Sequence, residues 1–102
     1  MVCKVSWTPK ALETYISNIE YLEAKWNERE VKKFIADTEK KNKTLSFQPN
    51  VGSPRNKKHH DIRQTLIHKR VSLIYRYKSR KKEIELLLFW NTWQNPKKLN
   101  LK

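Results

Sequence analysis

Ile62-Arg-Gln-Thr-Leu-Ile67, Val71-Ser-Leu-Ile-Tyr-Arg-Tyr77 and Ile84-Glu-Leu-Leu-Leu-Phe-Trp90 decide the fold of this 102-residue chain. Each run is rich in β-branched, aromatic and leucine residues. Short cationic segments, His68-Lys69-Arg70 and Lys78 to Glu83, separate them. The pattern predicts three successive strands. Arg63 and Arg76 lie inside the first two. A charge in a strand interior is costly unless one sheet face is a working surface. The expected sheet therefore has one face against helices and one face offered to an anion. The third run is apolar on both faces except at Glu85, as befits an interior strand.

Working outward, residues 2–7 alternate as a short strand, with Val2, Cys3, Val5 and Trp7 apolar. Thr8-Pro9 marks a helix start, threonine capping and proline at the first helical position. Leu12, Tyr15, Ile16, Ile19, Leu22 and Trp26 then follow helical spacing. Asn27 with Glu30 resembles a capping box that opens a second helix, with Val31, Phe34, Ile35 and Thr38 inward. This helix is expected to fray between Lys41 and Leu45, with Leu45 and Phe47 as anchors. Residues 48–61 hold the only glycine and two of the four prolines, and read as a loop. Residues 91–102 read as a polar tail with one helical turn near Pro96. The order β-α-α-β-β-β implies a single α+β domain over residues 1–102. It has two layers, a helix hairpin on one face of a mostly antiparallel sheet.

Composition bounds the partners. Twenty-three Lys and Arg against ten Asp and Glu give a net charge of +13 and a pI near 10.0. Such a balance favours nucleic acid, an acidic protein or an anionic surface. The cations are dispersed and not gathered on one amphipathic helix, which argues against a membrane role. No apolar run is long enough to span a bilayer, and the first residues do not form a signal peptide, so a cytoplasmic protein is expected. A lone cysteine, Cys3, permits no internal disulfide. One cysteine and three histidines lack zinc-site spacing, so neither metal nor other cofactor is expected.

The ordered set of landmarks is similar to the RelE/ParE superfamily. These landmarks are Trp7 with Ala11-Leu12, Tyr15 and Ile19, Phe34-Ile35, Pro49 and Gly52, Ile62-Arg63, Leu73-Ile74-Tyr75-Arg76, and the closing Trp-Gln-Asn-Pro-Lys-Lys-Leu. The members are toxins of bacterial type II toxin–antitoxin modules, often labelled plasmid stabilisation proteins. The resemblance implies a cognate antitoxin, expected to carry an acidic, partly disordered segment. RelE-like members cleave mRNA in the ribosome by 2′-OH attack, whereas ParE-like members inhibit DNA gyrase.

RNA cleavage needs a base, a cationic cradle for the phosphorane and an acid for the leaving oxygen. Arg63 matches the superfamily's second-strand arginine, whose planar fork suits phosphate. His59 and His60 are the candidate base and acid. Lys57 and Lys58 are candidate phosphate contacts, as is Arg76, for which a structural role across the sheet is an equal alternative. Trp93 stands where cleaving relatives often place tyrosine or histidine; it can stack on a base but cannot donate the proton, and packing against the sheet edge or the antitoxin is the favoured alternative. The charge and the 57–63 cluster favour ribosome-dependent mRNA cleavage, an endoribonuclease activity. Gyrase inhibition is the alternative, as is a non-catalytic nucleic-acid-binding or degenerate toxin.

Overall fold

The computed structural model describes residues 2–55, 61–69 and 71–91. Among them, five strands and two helices follow in the order β1 (Lys4–Trp7), α1 (Pro9–Lys25), α2 (Glu28–Phe47), β2 (Ser53–Pro54), β3 (Ile62–His68), β4 (Val71–Lys78) and β5 (Glu83–Asn91). The sheet order is β1-β5-β4-β3-β2. β1 runs parallel to its neighbour β5; the other pairs are antiparallel. β5 is interior, as its two apolar faces require.

The α1 start is as read: Thr8 Oγ1 accepts from the Ala11 N–H at 3.1 Å. Its inner stripe differs from expectation. Ala11, Asn18 and Leu22 are buried, with Tyr15 partly so, whereas Leu12 and Ile16 are about half exposed. The reason is a polar contact that hydropathy cannot weigh. β1 pairs with β5 only as far as Trp7 and Leu86, which leaves the rest of that β5 edge without a strand. α1 supplies the missing partners: the Phe89 N–H donates to Thr14 Oγ1 at 2.9 Å, and Asn18 Nδ2 donates to the Phe89 carbonyl at 3.2 Å. A buried backbone group without a partner costs a few kcal/mol, so this requirement sets the helix rotation.

α2 does not fray at Lys41. It runs unbroken to Phe47, because Leu45 is fully buried and the Ser46 carbonyl accepts the Cys3 N–H at 2.8 Å. Packing overrides the weak helix preference of Asn42 and Thr44. Phe47, expected as an anchor, is 59% exposed. Three further boundaries move. β1 begins at Lys4, not Val2, and β3 and β5 extend to His68 and Asn91, both buried. The loop expected over 48–61 contains the two-residue β2.

Between helices and sheet, Phe34, Leu45, Leu73, Tyr75, Ile84, Leu86 and Phe89 form the core. Trp7 stacks on Phe89 at 5.5 Å, and Tyr15 meets both rings edge-on or tilted at 5.2 Å. The opposite sheet face carries a smaller cluster of Ile62, Ile74 and Leu88, with Leu87 and Trp90 packed against it. Leu87 is the extra residue of a bulge between the pairs Tyr75–Leu86 and Ile74–Leu88.

Candidate functional site

The strand register separates the two arginines. Arg63 pairs with Tyr75 and shares its helix-side face, while Arg76 pairs with Ile62 and shares the outer face. The expectation of both on one anion-binding face is therefore corrected. The cause is simple alternation: β3 and β4 each place their arginine one residue off the other's register.

Arg63 holds the chain before β2. Its Nη1 donates to the Gly52 carbonyl at 2.6 Å and reaches the Asn50 carbonyl at 3.4 Å. Tyr75 completes the clamp: its hydroxyl accepts the Gly52 N–H at 3.0 Å and donates to the Pro49 carbonyl at 2.8 Å. Burial pushes the Tyr75 phenol up from its ordinary value; the Gly52 hydrogen bond and the Arg63 charge partly offset this. A Cβ on Gly52 would stand 2.7 Å from the Tyr75 hydroxyl and 2.8 Å from the Gln64 carbonyl. Glycine is thus required by close approach, not by a positive φ. Arg55 donates to the Gln64 side chain, pinning the exit of β2.

Arg76 lies among carboxylates. Its Nε is 3.2 Å from Asp61 Oδ2 and its Nη1 3.7 Å from Glu85 Oε1. Lys78 bridges Glu83 at 3.8 Å and Glu85 at 3.6 Å. The outer face at this point is an ordered, largely self-neutralised ion network. Lys57, Lys58, His59, His60 and Trp93 lie outside the described residues. Of the predicted set, Arg63 and Arg76 are the two within them, and the sheet keeps them apart.

A polar cluster that sequence reading missed sits at the other end of the sheet. His68, read as a turn residue, is buried against Phe34, with Nδ1 3.4 Å from Asp37 Oδ2 and Nε2 3.8 Å from Glu30 Oε1. Lys69 Nζ donates to Glu30 Oε1 at 2.8 Å and lies 4.1 Å over the Trp26 ring. The Glu30 carboxyl is held below the usual carboxylate range, chiefly by the Lys69 hydrogen bond and further by the charges of Lys69, His68 and Lys33. These contacts latch α2 to the β3–β4 turn. Acids at the start of α2 and cations in a hairpin turn are visible in sequence; their meeting depends on the helix path.

Among the described residues, no group of three or more His, Cys, Asp or Glu is placed to hold a metal ion. No described helix is long and apolar enough to cross a membrane.

Known proteins share this architecture. The family model for the ParE toxin of the type II toxin–antitoxin system parDE matches residues 5–96. The chain belongs to the ParE toxin family. It is a toxin of a type II toxin–antitoxin system within the RelE/ParE superfamily. Among solved structures, the fold recurs in the chromosomal ParDE toxin–antitoxin system from P. aeruginosa, with TM-score 0.69 and 21% identity over 88% of this chain and 96% of that one. The toxin–antitoxin complex RelBE2 from Mycobacterium tuberculosis matches with TM-score 0.64 and 17% identity, over 89% of this chain and 99% of that one. No curated protein matches the sequence. At these identities the two structures share the fold with this ParE-family chain, and both branches of the superfamily are represented.

Proposed function

We propose that this toxin arrests growth by ParE-like inhibition of DNA gyrase, through protein contact, and that a cognate antitoxin neutralises it. One observation carries the reading. Arg63 and Arg76 occupy opposite faces of the sheet, the first committed to loop carbonyls and the second to Asp61 and Glu85. Cleavage of a phosphodiester needs cations that converge on one phosphate. The family match to a ParE toxin supports the same choice. The two solved relatives, one a ParDE system and one a RelBE2 complex, support the antitoxin. The antitoxin brings a partly disordered acidic segment, for which the +13 charge is the attraction.

Ribosome-dependent mRNA cleavage, favoured by sequence alone, is the competing reading. It rests on Lys57, Lys58, His59 and His60 beside Arg63. Pulse labelling after induction in a bacterial host separates the two. DNA synthesis is expected to stop first, with translation intact. Translation stopping first, with cleaved transcripts, overturns the gyrase reading and returns the 57–63 cluster to the role of site.

A further inference from the structure

The charge of this protein is unevenly placed. Residues 9–47, the helix hairpin, carry eight Lys and Arg and seven Asp and Glu; the remainder carries fifteen cations and three acids. Part of that excess converges at one end of the sheet. The β4–β5 turn reads Lys78-Ser-Arg-Lys-Lys82. It is closed by the Lys81 N–H on the Lys78 carbonyl at 3.1 Å and the Lys82 N–H on the Ser79 carbonyl at 3.3 Å. The Lys4 N–H donates to the Lys82 carbonyl at 3.0 Å, and the Cys3 N–H to the Ser46 carbonyl at 2.8 Å. The turn, the start of β1 and the end of α2 are therefore backbone neighbours. Lys4, Lys43, Phe47, Arg80, Lys81 and Lys82 are all exposed there.

What sets this end apart is clustering: five exposed cations lie on three neighbouring elements. Among the described residues, Lys4, Lys43, Arg80, Lys81 and Lys82 enter no ion pair, whereas Arg76 and Lys78 close by are paired with acids. Lys82 also holds φ at 51°, in the left-handed region that glycine or asparagine usually fills. Clustered cations left uncompensated create a local positive field that attracts an anion.

We infer that the Lys4–Lys43–Arg80–Lys81–Lys82 surface is a docking site for single-stranded RNA, its cations on the phosphodiester backbone and Phe47 beside them to stack on an unpaired base. Spaced ammonium and guanidinium groups next to an exposed aromatic ring match the alternation of phosphate and base. The surface makes no base-edge code, so binding is sequence-independent and salt-dependent. It is separate from the Arg63 clamp and stands whether the toxin's target is gyrase or the ribosome.

The test uses the purified full chain and fluorescence anisotropy on a short mixed-sequence DNA duplex and a single-stranded RNA, across a salt series. The variant Arg80→Ser/Lys81→Ser/Lys82→Gly replaces Lys82 with the residue its backbone prefers, so the turn keeps its shape. Affinity for the single-stranded RNA is expected to fall by about tenfold or more. The slope of log affinity against log salt on the RNA is expected to drop by about 0.7 for each phosphate no longer neutralised. A control, Arg29→Ser/Lys32→Ser/Lys33→Ser on α2, removes equal charge from the far end and is expected to leave affinity within about threefold. A loss on the duplex alone would overturn the site, and Phe47→Ser should weaken the RNA and leave the duplex unchanged. Equal losses in variant and control would reduce the effect to net charge and overturn the site. So would unchanged binding in the variant, or a loss seen only on phosphatidylglycerol vesicles, which would assign the surface to a membrane.

Discussion

The β3–β4 and β4–β5 turns share two features and are used differently. Both lack glycine, and both put a lysine at positive φ: Lys69 at 24° and Lys82 at 51°. At the β3–β4 turn every described charge has an answer. Lys69 lies on Trp26 and against Glu30, and His68 is buried between Glu30 and Asp37. At the β4–β5 turn Arg80, Lys81 and Lys82 extend from the sheet, and none of the described acids pairs with them. Charges at the first turn serve the fold; those at the second do not. A lysine at positive φ is structural or available according to whether a helix passes over it.

The comparison can be broken by substitution. The scale is set by Gly52, where neither space nor backbone can give. Gly52→Ala drives a methyl into the Tyr75 hydroxyl and should cost about 3 kcal/mol, read as a lower urea midpoint at unchanged slope. At the latched turn, His68→Ala removes the ring that packs on Phe34 and faces two carboxylates. A loss of about 2 kcal/mol is expected. If His68→Ala proved neutral, the latch would be decorative. The paired lysines give the sharpest contrast. Lys82→Gly trades left-handed strain for glycine's chain entropy and should stabilise by about 0.5 kcal/mol. Lys69→Gly gains the same relief but forfeits Glu30 and Trp26, and should show a net loss of about 0.5 kcal/mol. Equal shifts in the two variants would erase the distinction between the turns.

Acid titration probes the latch through Glu30, whose carboxyl is lowered in the fold. A lowered carboxylate gives stability that is complete above its unfolded value, close to 4.5, and is lost as pH falls through the lower folded value. Glu30→Gln should therefore flatten the acid limb of a stability–pH curve. A limb of unchanged slope would show that Lys69 does not hold this carboxylate in solution. The smallest effect is predicted at the open turn: Arg80→Ser with Lys81→Ser should change stability by no more than about 0.5 kcal/mol.

Much of the architecture is legible in the sequence because it rests on periodicity and caps. The Thr8 and Asn27 caps, the helix hairpin and the three long strands all stand near their expected places, and the interior position of β5 follows from its two apolar faces. What the sequence does not reveal depends on partners far along the chain. Leu12 and Ile16 have the spacing of an inner stripe. The β5 edge instead requires hydroxyl and amide groups, and so turns Thr14 and Asn18 inward. His68 reads as a turn residue because its burial comes from α2, some thirty positions earlier. Arg63 and Arg76 are both visible as charges within strands. Their opposite faces follow from the β3–β4 register, which a glycine-free turn does not announce. For the candidate site, sequence identifies which residues carry charge and cannot say which charges are already neutralised.

The parallel pairing of β1 with β5 joins Lys4–Trp7 to Glu83–Leu86, the first described strand to the last. During synthesis, the first strand must therefore wait for the last. A nascent chain released as far as Lys78 has both helices and the β3–β4 hairpin but no partner for β1 and no β4–β5 turn. The sheet, and every surface that depends on its far end, closes only when the final strand leaves the ribosome. A segment that stops short of β5 thus leaves β1 unpaired and the sheet open, so the earliest and latest strands described assemble together or not at all.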